Sequence, residues 1–141
     1  MMRTPYSEAS VGVNRYFAES YNQNQLLFGY KTIHANGVYN ALNLTAGESV
    51  ESQLATKFAL SGELTIQLAN KPLRLSASYL QADDGMLLGV ARDETTIAVS
   101  ASYPIWKNLT ASVGYRNTNS SIDYFDVSTP TFGIQFAAIQ F

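Results

Sequence analysis

The chain has 141 residues, with 9 Lys+Arg against 11 Asp+Glu, so its formal net charge is −2. This balance argues against a nucleic-acid-binding protein, because such proteins carry a basic surface. The sequence has no Cys and a single His, which excludes disulfides, thiolate metal sites and cysteine nucleophiles. Only 14% of the residues are charged, whereas a soluble domain usually has about 25%. The charged residues are too few to cover an ordinary water-facing surface.

No stretch reaches the ~18 apolar residues that a membrane-spanning helix needs, and the mean hydropathy is −0.06. The N-terminal sequence MMRTPYSEAS has no apolar segment followed by a small-residue cleavage site, so it does not resemble a secretory signal peptide. We therefore expect either a cytosolic protein or a mature chain from which the signal peptide has been removed.

Apolar residues alternate with small or polar residues along most of the chain, which is the period of a β-strand with two different faces. The alternation is clear from Leu54 to Leu68, where the even positions are mainly apolar, and in the later strands, where the odd positions are apolar. No segment has a convincing helical period. Turn signals divide the chain into eight predicted strands, over residues 7–18, 25–34, 38–46, 54–69, 73–81, 95–103, 109–116 and 130–141.

Short turns alternate with longer polar connections between these strands, and the longest predicted loops cover residues 82–94 and 117–129. A tight turn hidden at residues 61–63, together with a strand at 86–91, would raise the strand count to ten. We expect a single domain over residues 1–141, folded as a closed antiparallel up-and-down β-barrel, because closure removes aggregation-prone sheet edges.

The alternation does not by itself say which face of the barrel points inward. A soluble barrel such as a lipocalin needs a charged exterior, but the polar face here consists mainly of Ser, Thr, Gly, Ala and Asn. Small residues with few charges are typical of a narrow interior, so the pattern favours a transmembrane β-barrel with its apolar face outward. An eight-stranded barrel is filled by its own side chains, which favours an ionic plug over an open pore. The charged residues predicted to face the lumen are Glu8, Lys31, Lys57, Glu63, Arg74 and Arg116.

Aromatic residues cluster near the predicted strand ends, as in the interfacial girdles of membrane barrels. The residues assigned to these girdles are Tyr16, Phe17, Tyr79, Tyr103 and Trp106. The longer connections are acidic, and their simplest interpretation is a solvated loop surface rather than a metal site. Divalent cations that bridge loop carboxylates to lipid phosphates are a second interpretation, with Asp83, Asp84, Asp123 and Asp126 as the weak candidates.

In these features the whole chain resembles the small outer-membrane β-barrel proteins of Gram-negative bacteria. The resemblance rests on an even strand count, short and long connections in alternation, a porin-like hairpin at residues 103–117 and a last strand ending in Phe. It implies a bacterial outer-membrane location, contact with outer-membrane lipid and lipopolysaccharide, and recognition of Ile139 and Phe141 by the barrel-assembly machinery. Phe141 differs in parity from Phe132 and Phe136, so we expect a bulge near residues 137–138.

Catalytic chemistry and cofactors are not expected. His34 lies at a short turn, without the neighbouring hydroxyl and carboxylate that nucleophilic catalysis needs. The sequence thus predicts a non-enzymatic membrane protein with a structural, membrane-integrity or surface-interaction role through its acidic loops. Two alternatives remain open, namely a narrow pore for small solutes and a soluble lipocalin-like barrel with an apolar ligand inside. The oligomeric state and the loop partner are also open.

Overall fold

The computed structural model describes residues 5–17, 19 and 21–136. These residues form one antiparallel sheet of eight strands, arranged in the order of the sequence. The strands are β1 (Tyr6–Phe17), β2 (Asn22–Ile33), β3 (Tyr39–Gly47), β4 (Ala55–Leu68), β5 (Lys71–Leu87), β6 (Val90–Trp106), β7 (Leu109–Ser120) and β8 (Val127–Phe136). A 3-10 turn, η1, covers Asp123–Phe125. The described ranges contain no helix with the length and apolar character needed to cross a membrane.

The two ends of the sheet differ in their connections. Residues 34–38, 69–70 and 107–108 connect the strands at one end, which we call the turn end. Residues 18–21, 48–54, 88–89 and 121–126 connect them at the other, which we call the loop end. At the turn end, Ala69 and Asn70 have φ values of 49° and 62°, as a two-residue hairpin turn with the twist of the sheet requires.

The loop predicted at residues 82–94 is wrong, because this segment is the distal part of the longest hairpin. Strand β5 continues to Leu87, and β6 begins at Val90. Leu88 and Gly89 form the turn, with φ values of 50° and 83°. The sequence lacks the Asn-Gly or Asp-Gly pair that usually marks this turn type. The acidic residues below the turn are accommodated by a register shift between Ala82 and Gly85.

The prediction of a long loop at residues 117–129 is also wrong for most of its length. Strand β7 extends to Ser120, and β8 already begins at Val127. Strand β4 runs unbroken through residues 61–63, so the ten-stranded alternative is wrong for the described residues. The bulge expected at residues 137–138, and with it Ile139 and Phe141, lies outside the described residues.

The described part of the chain does not bury an apolar core of the usual kind. Its buried apolar residues are Ala55 and Ala82, while Gln23, Thr32 and Thr118 are buried polar residues. The accessible surface is 10119 Å², whereas a compact monomer of this mass exposes about 7,200 Å². The excess arises because the sheet is a single layer with both of its faces uncovered.

Candidate functional site

One face of the sheet, which we call the apolar face, is continuous across the strands. The register places apolar residues opposite one another from β1 to β6 in a single row. That row consists of Val11, Phe28, Leu44, Leu60, Tyr79 and Ile97. A second row continues to the last strand through Leu64, Leu75, Ala101, Val113 and Phe132. Aliphatic and aromatic side chains therefore dominate this surface. Asn40 on β3, opposite Leu64, and Asn117 on β7, opposite Ile97, are polar residues on the same face.

This apolar surface is uncovered. Phe28 is 43% exposed and Val99 47%, although both lie within the sheet. Exposure is highest at the two edge strands, where Val13 reaches 80% and Phe132 81%. Contiguous apolar patches larger than a few hundred Å² are rare on monomeric soluble proteins, and they mark surfaces that contact lipid or another molecule.

The opposite face, which we call the polar face, holds five of the six charges that the sequence assigns to the lumen. Glu8 lies opposite Lys31, whose other neighbour, Ala41, lies opposite Glu63. Arg74 and Arg116 occupy the same face on β5 and β7, opposite Thr65 and Ala98. All five belong to this face because the register and the two-residue period of the strands connect them.

The Glu8 and Lys31 side chains form an ion pair across β1 and β2, with Nζ 3.0 Å from Oε2. The Tyr6 hydroxyl also donates a hydrogen bond to Glu8. A shallow cavity of about 230 Å³ adjoins this pair, and Glu63 lines its far side. The polar face thus brings three of the predicted charges together, whereas no described carboxylate lies within ion-pair distance of Arg74 or Arg116.

Lys57, the sixth predicted lumen residue, lies where the register between β4 and β5 shifts. Its Nζ is 2.8 Å from Oδ2 of Asp83, which is only 14% exposed. Gln81 also donates a hydrogen bond to this carboxylate. Asp83 is therefore a structural partner at the loop end.

The remaining acidic candidates are dispersed. The backbone N–H of Asp84 donates to Asp93, and the carboxylate of Asp126 accepts the backbone N–H of Ser120. Asp123 begins the short turn η1. The described residues contain no group of three His, Asp or Glu side chains placed to hold a metal ion. Divalent-cation bridging at these acids stays a prediction, without a preformed coordination group in the described ranges.

A network around Gln23 closes the loop end, and sequence reasoning missed it. Gln23 is 1% exposed, and its side-chain nitrogen donates to the carbonyl oxygens of Glu48 and Thr56 at 2.8 and 2.7 Å. Gly47 makes this possible, because a Cβ there would overlap the Thr56 carbonyl and the Gln23 amide. One buried amide thereby connects β2 to the residue that follows β3 and to β4. In the sequence, Gln23 belongs to a polar run, NQNQ, with no sign that one member is buried.

Four of the five predicted girdle aromatics lie towards the ends of the strands. Tyr79 instead lies in the middle of β5, because this strand continues to Leu87, so its assignment to a girdle is wrong. Tyr79 packs near Phe58, with ring centroids 6.2 Å apart, and the Tyr103 hydroxyl donates to the Leu68 carbonyl at 3.0 Å. Phe17 is 69% exposed at the loop end and Trp106 73% at the turn end. Tyr16, by contrast, has the parity of the polar face and lies opposite Gln23.

His34 takes part in a turn through its backbone. Its N–H donates to the carbonyl of Val38, and its own carbonyl accepts the N–H of Gly37. These bonds close the connection between β2 and β3.

The fold is thus all-β, with eight antiparallel up-and-down strands in one sheet. Comparisons of the chain with protein-family models, with curated proteins and with solved structures found no match. The site must therefore be interpreted from its own chemistry.

Proposed function

We propose that the chain is an integral β-barrel of the bacterial outer membrane, with a structural or surface-interaction role through its loop end. The observation that carries this proposal is the uncovered apolar face. The polar face, on the other side of the sheet, has few charges, and some of them are paired. In a soluble sheet protein this arrangement is unfavourable, because the apolar face has no second layer. A bilayer supplies that layer directly.

The strand lengths support this proposal. They range from 9 residues in β3 to 17 in β5, and a tilted strand needs about 9–11 residues to cross the hydrocarbon. In β4, apolar residues occupy alternate positions from Phe58 to Leu68. The apolar band is thus about as tall as a bilayer core.

Closure of the sheet is part of the proposal. β1 and β8 run antiparallel, because the strand count is even and each strand reverses the direction of the one before. Each edge strand has a neighbour on one side only among the described pairings, so its other edge is free to pair. Closing β1 on β8 would satisfy both edges and place the polar face inside. Contact with outer-membrane lipid and lipopolysaccharide, and insertion by the barrel-assembly machinery, belong to the same proposal.

The absence of Cys in the sequence permits a direct test with single cysteines. Val99→Cys lies on the apolar face and Ser100→Cys, the matched control, is the next residue on the polar face. Each variant is labelled with an environment-sensitive dye and refolded into phosphatidylcholine vesicles that contain brominated lipid. We expect strong quenching at position 99 and little at position 100.

Gel mobility of the unboiled and boiled chain provides the complementary measurement. A closed membrane barrel should need detergent and migrate differently before boiling. Solubility in buffer alone, with no heat-dependent shift and no quenching at position 99, would favour the soluble barrel with an apolar ligand. Conductance of open-porin size across a planar bilayer would instead favour the pore.

A further inference from the structure

A cleft of about 550 Å³ lies on the polar face at the loop end, where β6, β7 and β8 meet η1. Arg116, Thr118, Thr129 and Thr131 line the part that we call its floor, and Phe125, Arg92 and Glu94 line the part that we call its rim. The proposed barrel function does not require this cleft. Its lining combines two guanidinium groups, one carboxylate, hydroxyl groups and aromatic rings, and a few polar groups beside apolar ones are typical of a ligand site.

Arg92, on the rim, already forms an ion pair with Glu94. Its Nε donates to Oε1 of Glu94 at 2.9 Å, and its guanidinium carbon lies 3.7 Å from the centroid of the Phe125 ring. The ion pair neutralises this cation, and the cation–π contact holds η1 beside the cleft. Arg92 therefore shapes the site, and Glu94 is not available to Arg116.

Arg116 has no such partner among the described ion pairs. It lies directly opposite Thr129, and the neighbouring Thr118 is 8% exposed with its hydroxyl 2.8 Å from that of Thr96. A Cβ at Gly114, on the adjacent part of β7, would lie 2.7 Å from the hydroxyl oxygen of Thr131, which lines the floor.

The charge balance of the polar face leaves one cation without a carboxylate. The described strands place Lys31, Arg74, Arg92 and Arg116 on this face against Glu8, Glu63 and Glu94, and Glu94 pairs with Arg92. Glu8 pairs with Lys31, and Glu63 is a diagonal neighbour of Arg74, within reach of a long side chain. The residues of the sequence outside the described ranges include no Asp or Glu. Among the described residues, Arg116 is therefore the cation of this face that has no carboxylate paired with it, opposite it or diagonal to it.

We propose that the cleft binds an organic oxyanion, with its phosphate or carboxylate group on Arg116 and the threonine hydroxyls and its apolar part against Phe125. Guanidinium presents a planar fork of donors that matches phosphate and carboxylate oxygens. The unmatched positive charge selects an anion, while the aromatic rim selects one with a carbon skeleton. In the proposed barrel this site opens at the loop end of the lumen, so the inference goes beyond the structural role and adds a ligand to it.

The test uses the full chain refolded in neutral detergent micelles, with phenyl phosphate as the probe in isothermal titration calorimetry. Because a charge-assisted hydrogen bond contributes strongly, we expect Arg116→Gln to weaken binding at least about tenfold. The matched control is Arg74→Gln, which removes the same charge from the same face but outside the cleft, and we expect its affinity to stay within about twofold of the original. Phe125→Leu should weaken phenyl phosphate while inorganic phosphate binds as before.

Benzoate distinguishes a carboxylate from a phosphate source, and benzyl alcohol is the uncharged comparison. The proposal is overturned if phenyl phosphate and benzoate both show no saturable binding, if benzyl alcohol binds as well as they do, or if Arg74→Gln weakens binding as much as Arg116→Gln. Binding that emerges only in Glu63→Gln would overturn it too, because Arg116 would then be neutralised within the native barrel. The heat-dependent gel shift of the same samples reports separately on the barrel.

Discussion

The apolar and polar faces of the sheet are built from the same strands, yet their side chains differ in the contacts that they make. On the polar face, residues bind one another through the Glu8–Lys31 ion pair and the buried Gln23 amide. On the apolar face, residues such as Phe28 and Val99 lie beside similar neighbours with nothing above them. Internal contacts therefore satisfy part of the polar face, whereas the apolar face depends entirely on its surroundings.

A charge on the apolar face should have the largest effect. In the proposed membrane barrel, the guanidinium of Val99→Arg would have to enter the hydrocarbon, so we expect this change to reduce the free energy of unfolding from phosphatidylcholine vesicles by about 2–4 kcal/mol. The control is Ala98→Glu, at the adjacent residue on the polar face, opposite Arg116. The new Glu would pair with Arg116, so we expect the free energy of unfolding to change by less than about 1 kcal/mol. Urea titration monitored by Trp106 fluorescence measures both. Equal effects would contradict the assignment of the two faces.

The packing of the polar face at the loop end is tested by Gly47→Ala. The added methyl group would overlap the Thr56 carbonyl and the Gln23 amide, so we expect a loss of about 1–3 kcal/mol in the same titration. Gly12→Ala is the control, since its Cβ would meet only Leu27 at 4.0 Å. If both substitutions have the same small effect, the Gln23 network does not hold these strands together.

The β5–β6 hairpin ends in an apolar turn that belongs to neither face. Leu88 is 98% exposed and has a φ of 50°, a left-handed conformation that costs a residue with a Cβ roughly 1–2 kcal/mol. Asn tolerates this conformation better, so Leu88→Asn should stabilise the chain by up to about 1 kcal/mol. The reverse change, Asn36→Leu in a turn at the turn end, is the control, and we expect it not to stabilise the chain. A destabilised Leu88→Asn variant would show that Leu88 has a packing partner.

The smallest effect concerns pH. The backbone N–H and side-chain amide of Asn24 donate to the Glu48 carboxylate, which holds the pKa of Glu48 below its ordinary value of 4.5. Because the pKa of Glu48 is lower in the folded chain than in the unfolded chain, its carboxylate stabilises the fold at pH values above the unfolded pKa. This contribution is lost as the pH falls through the pKa of the folded chain. Below about pH 5, the original chain should therefore lose more stability than Glu48→Gln. Parallel pH profiles in urea titrations would contradict this expectation.

Much of the sheet was predictable because alternation is a local signal. The eight strands and their sequence order are confirmed, since each hairpin is set by its own turn and by the two faces of its strands. The ends of the strands were less predictable. Leu88-Gly89 is a tight turn without the usual turn residues, and the acidic residues 83–84 read as a loop although a register shift keeps them within β5.

The candidate site was only partly visible in the sequence. Parity alone placed Glu8, Lys31, Glu63, Arg74 and Arg116 on one face. Parity does not show that Asp83 binds Lys57, because a bulge shifts the alternation at that point. Nor does it reveal the buried amide of Gln23 or the stacking of Arg92 on Phe125, which depend on contacts between segments far apart in the chain.

The consecutive order of the strands makes each hairpin a separate unit of the sheet. Every described pairing joins strands that are consecutive in the sequence, so each hairpin brings its own register and connection. Duplicating or deleting a complete hairpin would change the strand number by two, leave the register of the other hairpins intact and keep the edge strands antiparallel. A single in-frame duplication of one hairpin would therefore widen the sheet by two strands.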